Sequence, residues 1–145
     1  MGGHSYVDVL VHVIFSSKGR RNSIHAERLE RLWQYFGGIA RNLEVPLTRA
    51  GGTRNHVHLL LALPATQTLA GVIGTLKSNT SQWVSPTFEW QAGYVAFGVS
   101  TSNREKVIAY IDNQEKHHQE LTFEEEFLAF LNTAGIDYDS RYVFH

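Results

Sequence analysis

Two histidines separated by one residue head an apolar run, Arg54-Asn55-His56-Val57-His58-Leu59-Leu60-Leu61-Ala62-Leu63, bounded by Gly51-Gly52 and Pro64. The run reads as a strand. Strand side chains alternate faces, so His56 and His58 point one way while Val57 and Leu59 point the other. Two imidazoles side by side on a rigid strand can hold one divalent cation. The competing reading of so short a motif is a pair of ordinary polar residues at a strand end.

A second stretch, Glu105 to Gln119, reads as a helix on which Tyr110 and Gln114 lie four apart and hence on one face. A phenol and an amide oxygen are thereby presented together. Histidine–apolar–histidine on a strand with a helical Tyr-x-x-x-Gln resembles the single-tyrosine transposases of the HUH nuclease superfamily. The branch is that of the insertion-sequence transposases and the REP-associated tyrosine transposases. Leu10-Val11-His12-Val13-Ile14-Phe15-Ser16-Ser17-Lys18, Trp90-Gln91-Ala92-Gly93-Tyr94-Val95-Ala96-Phe97 and Tyr138-Asp139-Ser140-Arg141-Tyr142 also look like family segments, so the resemblance covers nearly the whole chain. It implies a metal-dependent transposase that cleaves and rejoins single-stranded, hairpin-containing DNA through a 5′-phosphotyrosine. Tyr110 would be the nucleophile, and His56, His58 and Gln114 would hold Mg²⁺ or Mn²⁺. It further implies a homodimer, which in many members combines the histidines of one chain with the tyrosine helix of the other.

The chemistry suits these residue types. A nucleophile approaching a phosphodiester meets a negatively charged phosphate, and a divalent cation on a phosphate oxygen offsets that charge. Two imidazoles and an amide are neutral ligands, so the cation keeps its charge and its open positions. A phenol, with an ordinary pKa of about 10, leaves phosphorus more readily than an aliphatic alkoxide, and the covalent link conserves the broken bond for rejoining. Two other readings use the same residues: a protein that binds hairpin DNA without cutting it, and a metal phosphodiesterase in which water attacks.

At 145 residues and 43% hydrophobic content, the chain is expected to form one domain with its own core. Its parts would be a core over 1–101, a tyrosine helix over 102–119 and a C-terminal helical tail over 120–145. No apolar run reaches the roughly 18 residues of a membrane span. The start lacks the form of a signal peptide and there are no cysteines, which points to the cytoplasm and excludes thiolate metal sites. The net charge of −1 is no nucleic-acid footprint by itself. It is unevenly spread: residues 1–119 hold twelve bases and eight acids, a net of +4, whereas one base and six acids follow from Glu120 onward. A basic body with an acidic tail can bind DNA on one face. The candidate phosphate contacts are Lys18, Arg20 and Arg21 in a polar loop, Arg54 beside the histidines, and Lys77 on a later helix.

The elements that must position these groups follow from periodicity. Tyr6–Phe15 is β-rich and reads as a strand. Leu29, Leu32, Phe36, Ile39 and Leu43 mark a helix over about 26–42. A short strand over 47–50 follows, with Gly51-Gly52 turning the chain into the histidine strand. Thr66 or Thr68 caps a helix reaching Val84, and a strand with glycine interruptions spans 90–100. Ser102 with Glu105, and Thr122 with Glu125, are capping boxes for two further helices. Phe123, Phe127, Leu128 and Leu131 are the expected apolar side of the last helix. His12 is read equally as site-lining or as a core histidine, and His117 and His118 mainly as favourable helix-end residues. The order is that of an α+β, ferredoxin-like βαββαβ antiparallel sheet, with C-terminal helices that carry the tyrosine.

Overall fold

Apolar, β-branched sequences set the two central strands of the computed structural model, which describes residues 6–118, 121–133 and 135–136. β1 (Leu10–Ser16) pairs antiparallel with β3 (His56–Ala62) along its full length. β4 (Val95–Val99) flanks β1 and β2 (Leu47–Thr53) flanks β3, giving the all-antiparallel order β2-β3-β1-β4. α1 (Leu29–Asn42) joins β1 to β2 and α2 (Leu69–Val84) joins β3 to β4, which is the ferredoxin-like arrangement expected.

The two faces of the sheet differ. Val11, Val13 and Phe15 of β1 and Val57, Leu59 and Leu61 of β3 pack with Leu32, Phe36, Val72, Ile73 and Leu76 in the main core. The opposite face carries His56, His58 and Leu60, and Leu60 packs on Ile108 and Ile111 of α3 (Arg104–Asp112). Slipping β3 by one residue would send both histidines into the apolar layer and expel three aliphatic side chains. At about 1.5–3 kcal/mol for each aliphatic chain, the core fixes which face the imidazoles occupy.

Several boundaries differ from expectation. β1 starts at Leu10, leaving Tyr6 exposed. Gly51 and Gly52 are not the hairpin turn: they pair with His58 and Val57 inside β2, and the chain turns at Arg54-Asn55. The strand expected within 90–100 keeps only Val95–Val99, with Trp90 making an isolated bridge to Ser17. Thr68 caps α2 by accepting from the Gly71 N–H, and Thr122 and Glu125 exchange reciprocal bonds at the start of α5 (Phe123–Thr133). Ser102 caps nothing, since a 3₁₀ turn over Thr101–Asn103 leads into α3. The single tyrosine helix expected is broken at Asn113, and α4 (Gln114–His117) continues after it. The segment Tyr138–Tyr142 and the His117 side chain lie outside what is described. Among the described residues, no helix is long and apolar enough to cross a membrane.

Candidate active site

The central strand holds His56 and His58 on one face with ring centroids 5.1 Å apart, both fully buried. From the neighbouring strand, His12 Nε2 lies 2.8 Å from His58 Nδ1. α3 crosses this face and brings the Tyr110 ring within 5.7 Å of the His58 ring. The helix break after Asp112 does not separate Gln114 from Tyr110: the Gln114 amide donates to the Tyr110 carbonyl at 3.3 Å. That bond turns Gln114 Oε1 toward His56 Nε2, 3.0 Å away. Tyr110, Gln114, His56 and His58 therefore meet within one chain.

Two more residues join them. Glu126 of α5 is buried, with Oε1 3.0 Å from His58 Nε2, 3.6 Å from His56 Nε2 and 3.3 Å from His118 Nε2. Its Oε2 accepts the Tyr110 hydroxyl. The His118 ring stacks edge-on against His56 at 4.5 Å, so His118 belongs to the cluster and does more than end a helix. Phe123 packs on His56, and Phe130 on His12 and Tyr110. The docked face of α5 is therefore Phe123, Glu126 and Phe130, at spacings of three and four. A carboxylate set inside an aromatic stripe was the available signal, because Glu is almost never fully buried unless paired.

Burial governs the electrostatics. Desolvation first, then neighbouring His58, lowers the pKa of His12 and of His56 to about 3. Burial likewise depresses His58 against the pull of Glu126. Burial alone would raise the Glu126 carboxyl, but His118, His58 and the Tyr110 hydroxyl outweigh it and hold the group well below the usual carboxylate range. The Tyr110 phenol is pushed up by burial and then by Glu126.

The hydrogen bonds test whether a cation fits. Asn55 Nδ2 donates to the Arg20 carbonyl, which leaves Asn55 Oδ1 facing His56 Nδ1 at 2.8 Å. An amide oxygen only accepts, so the one proton of neutral His56 sits on Nδ1. The bare Nε2 then faces Gln114 Oε1, lone pair to lone pair, at 3.0 Å. A cation satisfies both atoms, whereas a second proton would do so only by charging His56, which burial opposes. Donor atoms of His56, His58 and Glu126 all lie within 4.8 Å of one another, so imidazole, amide and carboxylate donors converge in a set that fits a divalent metal.

The family profile described as "Transposase IS200 like" matches residues 5–114. The chain belongs to this family. Two solved structures share the fold of this IS200-like transposase. One is a candidate transposase from Deinococcus radiodurans R1, with TM-score 0.61 and 23% identity over 79% of this chain and 97% of that one. The other is a REP-associated tyrosine transposase bound to a REP hairpin, with TM-score 0.63 and 14% identity over 83% of this chain and 75% of that one. No curated protein matches the sequence.

In this IS200-like transposase the five expected phosphate contacts are differently employed. Lys18 pairs with Glu89 at 3.0 Å in solvent, and Arg20 pairs with Glu124 of α5 at 2.5 Å. Lys18, Arg20 and Arg21 line a surface cleft of about 880 Å³ together with Ser23 and Phe88. Arg54 donates to the Ile24 and Asn22 carbonyls, and Lys77 to those of Gln91 and Gly93. Arg54 and Lys77 thus tie loops of their own chain. Half-buried Lys77, its pKa lowered by desolvation, needs such acceptors to stay charged.

Proposed function

We propose that the chain is a metal-dependent transposase that cleaves and rejoins single-stranded, hairpin-bearing DNA with Tyr110 as the nucleophile. The observation that carries this reading is the convergence of the Tyr110 hydroxyl with donors from His56, His58 and Gln114 in one buried cluster. Tyr110 gives up its hydroxyl proton as Oη attacks phosphorus, the bond from phosphorus to the 3′ oxygen breaks, and that oxygen takes up a proton to become a free 3′-OH, so no net proton is gained or lost. The strand's other end stays on Tyr110 as a 5′-phosphotyrosine. Attack by a 3′-OH reverses the step and rejoins strands.

His56, His58 and Gln114 would hold Mg²⁺ or Mn²⁺, with Glu126 as an added oxygen ligand suited to such hard cations. Bound there, the cation offsets charge on the phosphate oxygens. His12 orients His58 through its Nδ1, and Asn55 fixes the tautomer of His56. The family membership and the solved relative carrying a REP hairpin support a stem-loop DNA partner. We propose a homodimer as the assembly.

The test is incubation with end-labelled stem-loop DNA and Mn²⁺, followed by denaturing electrophoresis. The expected result is a protein–DNA adduct that Tyr110→Phe abolishes. Cleavage that survives Tyr110→Phe would assign the attack to water. Binding without any adduct would leave a hairpin-binding protein.

A further inference from the structure

One nitrogen of the cluster is left over. His118 Nε2 is buried, and although it lies 3.3 Å from Glu126 Oε1 it makes no hydrogen bond. Among the described residues it is the one buried side-chain polar atom without such a partner. An atom of this kind is costly to bury unless a further group satisfies it. Its place in the chain ties it to the site. Tyr110, Gln114 and His118 follow one another at intervals of four. Although α3 ends at Asp112, the Gln114 amide reaches back to the Tyr110 carbonyl, and the His118 N–H donates to the Gln114 carbonyl at 3.0 Å. The three side chains therefore share one face across the break. That face meets the histidine strand, where the His118 and His56 rings lie edge-on with centroids 4.5 Å apart.

Glu126 Oε1 shows how closely the imidazoles converge. It stands 3.0 Å from His58 Nε2, 3.3 Å from His118 Nε2 and 3.6 Å from His56 Nε2. Gln114 Oε1 lies 3.0 Å from the last of these nitrogens. We propose that His118 is a third imidazole ligand of the cation, so that the set is three imidazoles, one amide and one carboxylate. This inference rests on the reading of the cluster as a metal site and deepens it by naming the kind of ion. Mg²⁺ prefers oxygen and gives up its waters reluctantly, whereas imidazole suits first-row transition ions. With His118 included, nitrogen donors outnumber oxygen donors, and the site selects Mn²⁺ or Zn²⁺ over Mg²⁺. A ligand at this position also anchors the end of the tyrosine helix to β3 when a cation is held, which fixes where the Tyr110 phenol stands.

The test uses the full chain with the metal ions alone and no DNA. Nitrogen NMR spectra of the imidazole rings are recorded while Zn²⁺, a diamagnetic ion, is added. The His118 Nε2 resonance should move together with those of His56 and His58, and its absence in His118→Gln identifies it. Shifts confined to His56 and His58 overturn the proposal. Titration calorimetry gives a second readout. His118→Gln should weaken Mn²⁺ binding about 10-fold or more, at least the scale of losing an orienting partner. Mg²⁺ binding should change little, so the preference for Mn²⁺ shrinks. A purely structural role would weaken both ions alike and leave the preference unchanged, and that result overturns the proposal. So does a parent protein that binds Mg²⁺ as tightly as Mn²⁺. Lys116→Gln, exposed on the same turn, should match the parent, and an equal loss there overturns the proposal too. The failures are separable. Zn²⁺ that moves His56 and His58 but not His118 sinks only this inference, whereas imidazoles that no cation moves sink the metal-site reading beneath it.

Discussion

Gly51 of β2 lies directly under Ile111 of the tyrosine helix: a Cβ on Gly51 would stand 2.7 Å from the Ile111 carbonyl oxygen and 2.8 Å from its Cγ2. The missing side chain lets α3 approach the sheet closely, and this approach sets where the phenol stands relative to the histidines. Gly51→Val should therefore cost about 1–3 kcal/mol of stability as an overpacking change. It should also lower adduct formation about 10-fold or more by lifting Tyr110 and Gln114. Gly98→Ala on β4, where a Cβ meets nothing within 4 Å, is the control. Thermal melting and the adduct assay check both effects; a Gly51→Val protein as active as its parent would mean that the helix position tolerates the shift.

His12 touches the proposed ligands without being one. His12→Phe keeps an aromatic ring, somewhat larger than imidazole, and removes the bond to His58 Nδ1. Loss of such an orienting partner typically lowers metal affinity about 10- to 100-fold. Titration calorimetry with Mn²⁺ should find that loss with the fold retained. Unchanged affinity would leave His12 as a core residue only.

Protonation should unfold the metal-free protein from the mildly acidic side. His12 and His56 have folded pKa values of about 3, far below the ordinary 6.5. Between those values the unfolded chain binds protons that the folded chain refuses, so stability falls as pH drops from about 6.5 toward 3. Each histidine contributes a slope of about 1.4 kcal/mol per pH unit within that window. Glu126, depressed in the fold, adds a loss below its ordinary range. Denaturant midpoints should be flat from about 7 to about 9 and decline below that range. His12→Phe should make the decline shallower, and an equal slope in that variant would contradict the assignment.

Tyr110 lies beside the histidines of its own chain. Mixing Tyr110→Phe protein with His56→Ala protein should thus restore no adduct, even if the copies associate. Recovery of cleavage in the mixture would mean that sites are built across two chains. Sedimentation of the unmixed protein reports the homodimer independently.

The histidine pair was legible because a strand alternates strictly and the apolar layer locks its register. Tyr110 and Gln114 were legible for a weaker reason, since the helix that should carry both breaks at Asn113. The amide-to-carbonyl bond between them preserves the one-turn relationship across the break. Glu126 went unread despite its aromatic flanks, because its partners lie 68 and 16 residues away and only the docking of α5 joins them. Gly51-Gly52 misled because paired glycines are a strong turn signal, while here Gly51 clears space for α3 and Gly52, at φ 148°, lies against the His56-Val57 backbone of β3. For Arg54 and Lys77 the sequence left unseen the loop carbonyls that each satisfies, because a cation's sequence neighbours do not reveal them.

With His12 and His56 uncharged at neutral pH, an arriving cation need not expel protons to claim its imidazoles. The hydrogen that His58 directs at Glu126 can cross to its other nitrogen as His12 switches tautomer, so none leaves the molecule. Calorimetric heats of loading in buffers of different ionisation enthalpy should then superimpose, unlike those of metal proteins whose ligands must first be deprotonated.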